Sequence, residues 1–311
     1  MRILVTGAAG FIGRALCRGL AERGHAVLGV TRRPAAPLAG VELRPIGDIG
    51  PGTAWSQHLG GIDVVLHLAN RAHRSVLGSA LDDREAPAAR ALAQSAAKAG
   101  VRRLVYVSSV RAMGDATPPG APFRETQLPH PRDAYGRGKL ESERALLTAA
   151  QESGVEIVIL RPPLVYGPGV KANFRALMRL VANGVPLPLA GICNRRSLIF
   201  IDNLVDLIGR VVMHPGAIGR VLLARDAVDL STPELIRILG ANLDRPARLF
   251  EVPAPALAAL RPLPVLGPLL SRLTLSLQVD DAQTRGVLGW QPSVSPEISL
   301  AATAKAFRAQ S

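Results

Sequence analysis

The 311-residue chain is 48% hydrophobic and 20% charged, which suits a soluble globular protein with a sizeable core in one large or two unequal domains. Lysine and arginine total 37 against 24 acids, a net charge of +13, but the arginines are scattered and aromatics are only 4%, which leaves few base-stacking platforms and argues against nucleic acid. Isolated arginines instead suit phosphorylated small molecules, which guanidinium grips bidentately, or a loose attraction to anionic membrane surfaces.

In chain order, M-R-I-L-V-T-G reads as a strand running into a turn, without the layout of a signal peptide. Strands are predicted over 2–6, 26–30, 41–46, 63–68, 103–108 and 156–160, with helical stretches at 11–23 and 89–99 between them. Gly24 and Gly100 each stand just past a helix end, where a left-handed cap favours glycine. This alternation predicts an α/β fold, a parallel sheet flanked by helices. After R-P-P-L-V-Y-G-P-G (161–169) shorter, Pro-rich elements follow, read as a smaller domain at the carboxyl edge of the sheet. The division expected is 1–166 and 167–311, with 195–215 returning to the first part. The stretch 253–277, rich in Pro, Leu and Ala, reads as a helical lid or subunit surface rather than a membrane anchor. No run of about 18 uncharged apolar residues is present, so no spanning helix is expected. Cys17 and Cys193 lie in unrelated contexts and suit a reducing cytoplasm, and the six histidines show no metal-ligand spacing, so no metal is expected.

Three stretches carry chemistry. T-G-A-A-G-F-I-G (6–13) ends the first strand and opens the first helix, so Gly7, Gly10 and Gly13 form G-x-x-G-x-x-G around Phe11 and Ile12. Glycines there permit a tight turn and close approach of a pyrophosphate to a helix N-terminus, the pattern of a dinucleotide site. The second strand ends at Thr31, followed by Arg32 and Arg33, where a site for NAD places an acid on the ribose hydroxyls. A missing acid and two guanidinium groups favour the 2′-phosphate of NADPH over NAD. Asp48 is placed to accept from the adenine amino group. In D-A-Y-G-R-G-K (133–139), Tyr135 and Lys139 are one helical turn apart and share a face.

The ordered set T-G-A-A-G-F-I-G, H-L-A-N (67–70), V-S-S-V-R-A-M-G (107–114), Y-G-R-G-K (135–139), R-P-P-L-V-Y-G-P-G, R-S-L-I-F-I-D-N-L (196–204) and L-G-W-Q-P (288–292) resembles the extended short-chain dehydrogenase/reductases, in their nucleotide-sugar epimerase/dehydratase branch. The resemblance implies a doubly wound Rossmann sheet with a smaller C-terminal substrate domain. It makes Tyr135 the proton-transfer group and Lys139 the residue that holds the nicotinamide ribose. Free tyrosine keeps its proton to about pH 10, and a nearby ammonium and an oxidised nicotinamide both favour tyrosinate. Ser109 would hydrogen-bond the reacting oxygen, with Ser108 as the second candidate. Ile49, Leu68, Ala69, Pro163 and Val165 fall at the cofactor; Asn173, Pro186, Leu187 and Arg196 fall at the nucleotide diphosphate, sugar and base. His73 is a further candidate for touching substrate.

Two departures narrow the activity. Dehydratases of this branch carry Asp-Glu directly after the active-site Ser or Thr; here Val110 and Arg111 stand there and cannot do that acid–base work. Glu85 occupies a position where relatives commonly carry asparagine. The activity expected is NADPH-dependent reduction of the 4-keto group of a UDP-linked 6-deoxy hexosamine for polysaccharide or O-antigen assembly. The alternatives are a UDP-sugar 4-epimerase with bound NAD and a non-catalytic NADP-sensing module. A cytoplasmic homodimer is expected, paired through 89–99 and 137–150.

Overall fold

The computed structural model describes residues 1–69, 84–259 and 266–310. The chain runs β1 (Arg2–Thr6), α1 (Phe11–Glu22), β2 (Ala26–Thr31), β3 (Val41–Pro45), β4 (Val64–His67), α2 (Glu85–Lys98), β5 (Arg103–Val107), α3 (Ala134–Ser153), β6 (Glu156–Arg161) and β7 (Leu164–Tyr166). It continues through α4 (Ala172–Ala182), β8 (Leu198–Phe200), α5 (Ile201–Met213), β9 (Val221–Leu223), α6 (Thr232–Asn242), α7 (Ala254–Ala259), α8 (Leu266–Thr274), α9 (Ala282–Leu288) and α10 (Pro296–Arg308).

Seven strands form one parallel sheet in the order β3-β2-β1-β4-β5-β6-β9. The inner strands read as unbroken apolar runs because both faces are covered. Alternation within each strand deals side chains to the two faces. Ile3, Val5, Val64, Leu66, Val105 and Val107 pack with α1 and α5, through Leu16, Leu20, Leu204 and Ile208. Leu4, Val65, Leu104 and Tyr106 pack with α2 and α3, through Leu92, Ala96, Leu146 and Ala149.

Two features fall past the expected boundary at residue 166. Helix α5 lies against α1 in the first layer, and β9 pairs with β6 later than the 195–215 return. Strand β9 has only three residues, too few for an apolar period to show in the sequence. A separate core unites β7 and β8 with α4, α6 and α10 around Tyr166, whose hydroxyl donates to Asp226 at 2.9 Å and meets Ser299 at 2.5 Å. Within 253–277 the described residues are helical in α7 and α8. Among the described residues no helix is long and apolar enough to cross a membrane.

Candidate active site

The strand order reverses direction at β1 and β4, and a cleft at the carboxyl ends of these strands is where doubly wound sheets bind ligands. The glycine turn lies at that point. Gly7 has φ +69°, and a Cβ on it would sit 3.1 Å from Ala69 in the loop after β4. A Cβ on Gly13 would approach the Gly7 carbonyl oxygen to 2.2 Å, so only glycine lets the helix start this close to the turn. Gly10 caps α1 with no side-chain hydrogen bond, so the first-turn N–H groups of Phe11 and Ile12 keep their capacity for an anion. These are the features a dinucleotide pyrophosphate requires, and the residues present fit it.

At the rim of β2, Thr31 is buried and donates its hydroxyl to the Arg33 carbonyl at 2.8 Å, so it shapes the turn that presents the two arginines. Arg32 lies 3.8 Å from Asp48, both about half exposed. Ile49 packs at the edge of the α2–α3 layer. The backbone N–H groups of Leu68 and Ala69 both donate to Thr6 Oγ1 at 3.0 Å, which fixes the loop opposite the glycine turn. His73 lies outside the described residues.

The candidate catalytic residues Ser109, Tyr135 and Lys139 lie where β5 meets α3. Asp133 caps α3, accepting from the Gly136 N–H at 2.7 Å with Oδ1, while Oδ2 takes the Arg111 guanidinium. That guanidinium belongs to the short 3-10 turn Val110–Ala112, which Ser109 caps by accepting from the Arg111 N–H at 3.2 Å. One carboxylate thus ties the turn carrying Ser109 to the helix start carrying Tyr135. Gly136 makes the contact close: a Cβ there would stand 2.3 Å from the Arg111 carbonyl oxygen. Lys139 is buried, and its ammonium lies 6.0 Å from the centre of the Tyr135 ring.

Ser108 turns the other way. Residues 104, 106 and 108 alternate toward the α2–α3 layer, and the Ser108 hydroxyl donates to Glu143, which also receives Arg161 through Nε at 3.0 Å and Nη2 at 2.5 Å. In this geometry the Ser108 proton is engaged by a buried carboxylate. Tyr135, Lys139 and Glu143 form one stripe of α3, and the bidentate Glu143–Arg161 pair fastens that stripe to β6. Pro163 and Val165 lie at and before β7, which pairs with β8.

Toward the smaller domain, Arg196 is half-buried and donates to the Leu275 carbonyl at 3.0 Å. Burial, then the charges of Arg111 and Arg272, lower its pKa to about 10. Asn173 is exposed in the first turn of α4. Pro186 and Leu187 lie in a loop that pairs with 248–250, Leu187 N–H donating to the Arg248 carbonyl at 2.8 Å. Sequence reasoning met Arg111 only as a residue that is not an acid and missed its pairing with Asp133, which only the fold brings together.

A parallel sheet reversed at β1/β4, with a glycine turn beside the reversal and a Tyr–Lys helix over β5, defines a Rossmann-type dinucleotide-binding fold. Residues 3–222 match the NAD dependent epimerase/dehydratase family, and the chain belongs to it. A UDP-glucose 4-epimerase of Vibrio cholerae is 38% identical, over 98% of this chain and 95% of the relative. A probable dTDP-4,6-dihydroxy-2-methyloxan-3-one 4-ketoreductase of Streptomyces antibioticus is 32% identical, over 82% of this chain and 84% of its own length. The solved structure of MoeE5 in complex with UDP-glucuronic acid and NAD superposes with a TM-score of 0.78 at 25% identity, covering all of both chains.

Proposed function

We propose that the chain is a nucleotide-sugar 4-epimerase that keeps its NAD and acts on a UDP-hexose or UDP-N-acetylhexosamine. The observation that carries this reading is the binding of Ser109's turn to the Tyr135 helix start by Asp133, beside the glycine turn. The similarity to the Vibrio cholerae epimerase over almost the whole of both chains supports epimerisation over the expected 4-keto reduction. Bound nicotinamide supplies reversible hydride transfer at C4. Tyr135 takes the proton of the C4 hydroxyl and later returns it, and Ser109 hydrogen-bonds the same oxygen. Lys139 holds the nicotinamide ribose and favours tyrosinate. Arg196 receives the diphosphate, with Asn173, Pro186 and Leu187 at the sugar and base in the part spanning 167–311. Val110 and Arg111 leave no acid for dehydration. The working unit is a cytoplasmic homodimer paired through α2 and α3.

The test is to mix purified protein with UDP-glucose or UDP-N-acetylglucosamine, without added cofactor, and follow formation of the galacto isomer. A second reading, NADPH-dependent reduction of a UDP-4-keto-6-deoxy sugar, draws on Arg32 and Arg33. It requires one NADPH oxidised per added keto-sugar and no isomerisation. Under it, changing both arginines to alanine weakens NADPH at least tenfold more than NADH, since each charge-assisted bond is worth about 1.5–3 kcal/mol.

A further inference from the structure

A row of polar side chains crosses the carboxyl ends of three adjacent strands. Thr6 of β1 is in register with His67 of β4, and His67 with Tyr106 of β5. Thr6, His67 and Tyr106 are all at most 5% exposed, and Lys139 of α3, at 2%, completes the row. Thr6 Oγ1 accepts from the backbone N–H groups of Leu68 and Ala69, which occupies both lone pairs. Its own hydrogen therefore goes to His67 Nδ1, 2.8 Å away, and the imidazole carries its proton on Nε2. Burial, then the nearby Lys139 charge, lower the His67 pKa to about 3, so the ring is neutral in any ordinary buffer.

The His67 ring stacks on Tyr106 with centroids 5.5 Å apart and planes 24° apart. Burial first, then the carboxylates of Glu85 and Glu143 against a hydrogen bond from Ser142, push the Tyr106 phenol above its usual range, so it stays a neutral acceptor. Lys139 Nζ donates to this phenol at 3.1 Å and to the Val107 carbonyl at 3.4 Å, and lies 4.7 Å from the centre of the Tyr106 ring. A long flexible ammonium is thereby held by neutral oxygens and a π face, which fix it without cancelling its charge. A carboxylate in the same place would hold it as firmly and would quench the field it exerts on Tyr135.

We propose that Tyr106, seated by His67, is a positioning residue that holds the Lys139 ammonium in place for Tyr135 and the dinucleotide. The row also joins the turn at Gly7 to the reacting end, since Thr6 is the residue before that glycine. This rests on the functional reading given above for Tyr135 and Lys139.

Tyr106→Phe keeps the ring and removes only the acceptor. It should lower kcat on the order of tenfold, the worth of a hydrogen bond to a charged group, with KM for the nucleotide sugar and the melting temperature little changed. In the Lys139→Met background the same change should cost nothing further in kcat or in NAD affinity, because the partner it positions is gone. A structural role would instead lower both backgrounds equally, and that outcome overturns the proposal. Reductive methylation of the full chain, read by mass spectrometry at Lys139, examines the seat without any turnover. Labelling in Tyr106→Phe should be several-fold faster than in wild type, and an unchanged rate overturns the proposal even if the wild type proves to catalyse another reaction. If the wild type neither binds NAD nor isomerises, the functional reading fails, and the labelling rate still decides whether Tyr106 seats the lysine.

Discussion

Gly136→Ala isolates the contact between the Ser109 turn and the helix that carries Tyr135. A Cβ at this position would meet the Arg111 carbonyl oxygen at 2.3 Å and the Pro131 Cβ at 3.0 Å. Ordinary van der Waals contact begins near 3.4 Å, so the helix start must recede by about 1.1 Å. The obstacle is backbone, and no rotamer change relieves it. A displacement of about 1 Å at a reacting group costs on the order of a hundredfold in rate, and overpacking costs about 1–3 kcal/mol. Against this, alanine is the better helix former by roughly 1 kcal/mol, so the net loss of stability should be modest. The variant should melt a few degrees lower, keep its dinucleotide, and lose about a hundredfold in kcat with KM nearly unchanged. Turnover of the UDP-sugar, a thermal melt and spectroscopy of the bound nucleotide measure the three quantities. A kcat within threefold of wild type, with an equal or higher melting temperature, would refute the claim that Gly136 sets the Ser109–Tyr135 approach.

Tyr135→Phe should bind dinucleotide normally and lose about 10²–10⁴ in kcat, the usual share of general acid–base catalysis; near-normal turnover would give the proton-transfer role to another group. Arg196→Ala should raise KM for the nucleotide sugar by about ten- to a hundredfold, with a smaller effect on kcat, if its guanidinium receives the diphosphate; equal KM values would remove it from the site. The folded pKa of His67, about 3, lies below its unfolded value of 6.5, so the unfolded chain binds the extra proton. The associated stability is complete above pH 6.5 and declines as pH falls toward 3, by about 1.4 kcal/mol per pH unit. Urea midpoints from pH 6.5 down to 4.5 should therefore fall more steeply for wild type than for His67→Gln, and parallel curves would contradict the buried neutral imidazole.

The sheet was legible because each inner strand is an apolar run bounded by glycine or charge, and burial on both faces forces that composition. The first turn of α2 was not: it begins at Glu85 and includes Pro87, and a proline tolerated in a first turn reads from sequence as a break. In the site, residues whose spacing is local were readable, namely the glycine turn and the Tyr135–Lys139 pair. Residues joined only by the fold were not, and the two serines show why. Ser108 and Ser109 are equivalent in composition, and their separation depends on which face of β5 meets α3. Once Tyr106 is assigned to the α3 layer, a period of two sends Ser108 to Glu143 and leaves Ser109 to cap the turn. The same register places Tyr106 under Lys139. The alternation that builds the core thus also decides which serine meets Glu143 and which ring supports the lysine, so a one-residue slip of β5 would exchange the two serines and remove that ring from beneath Lys139.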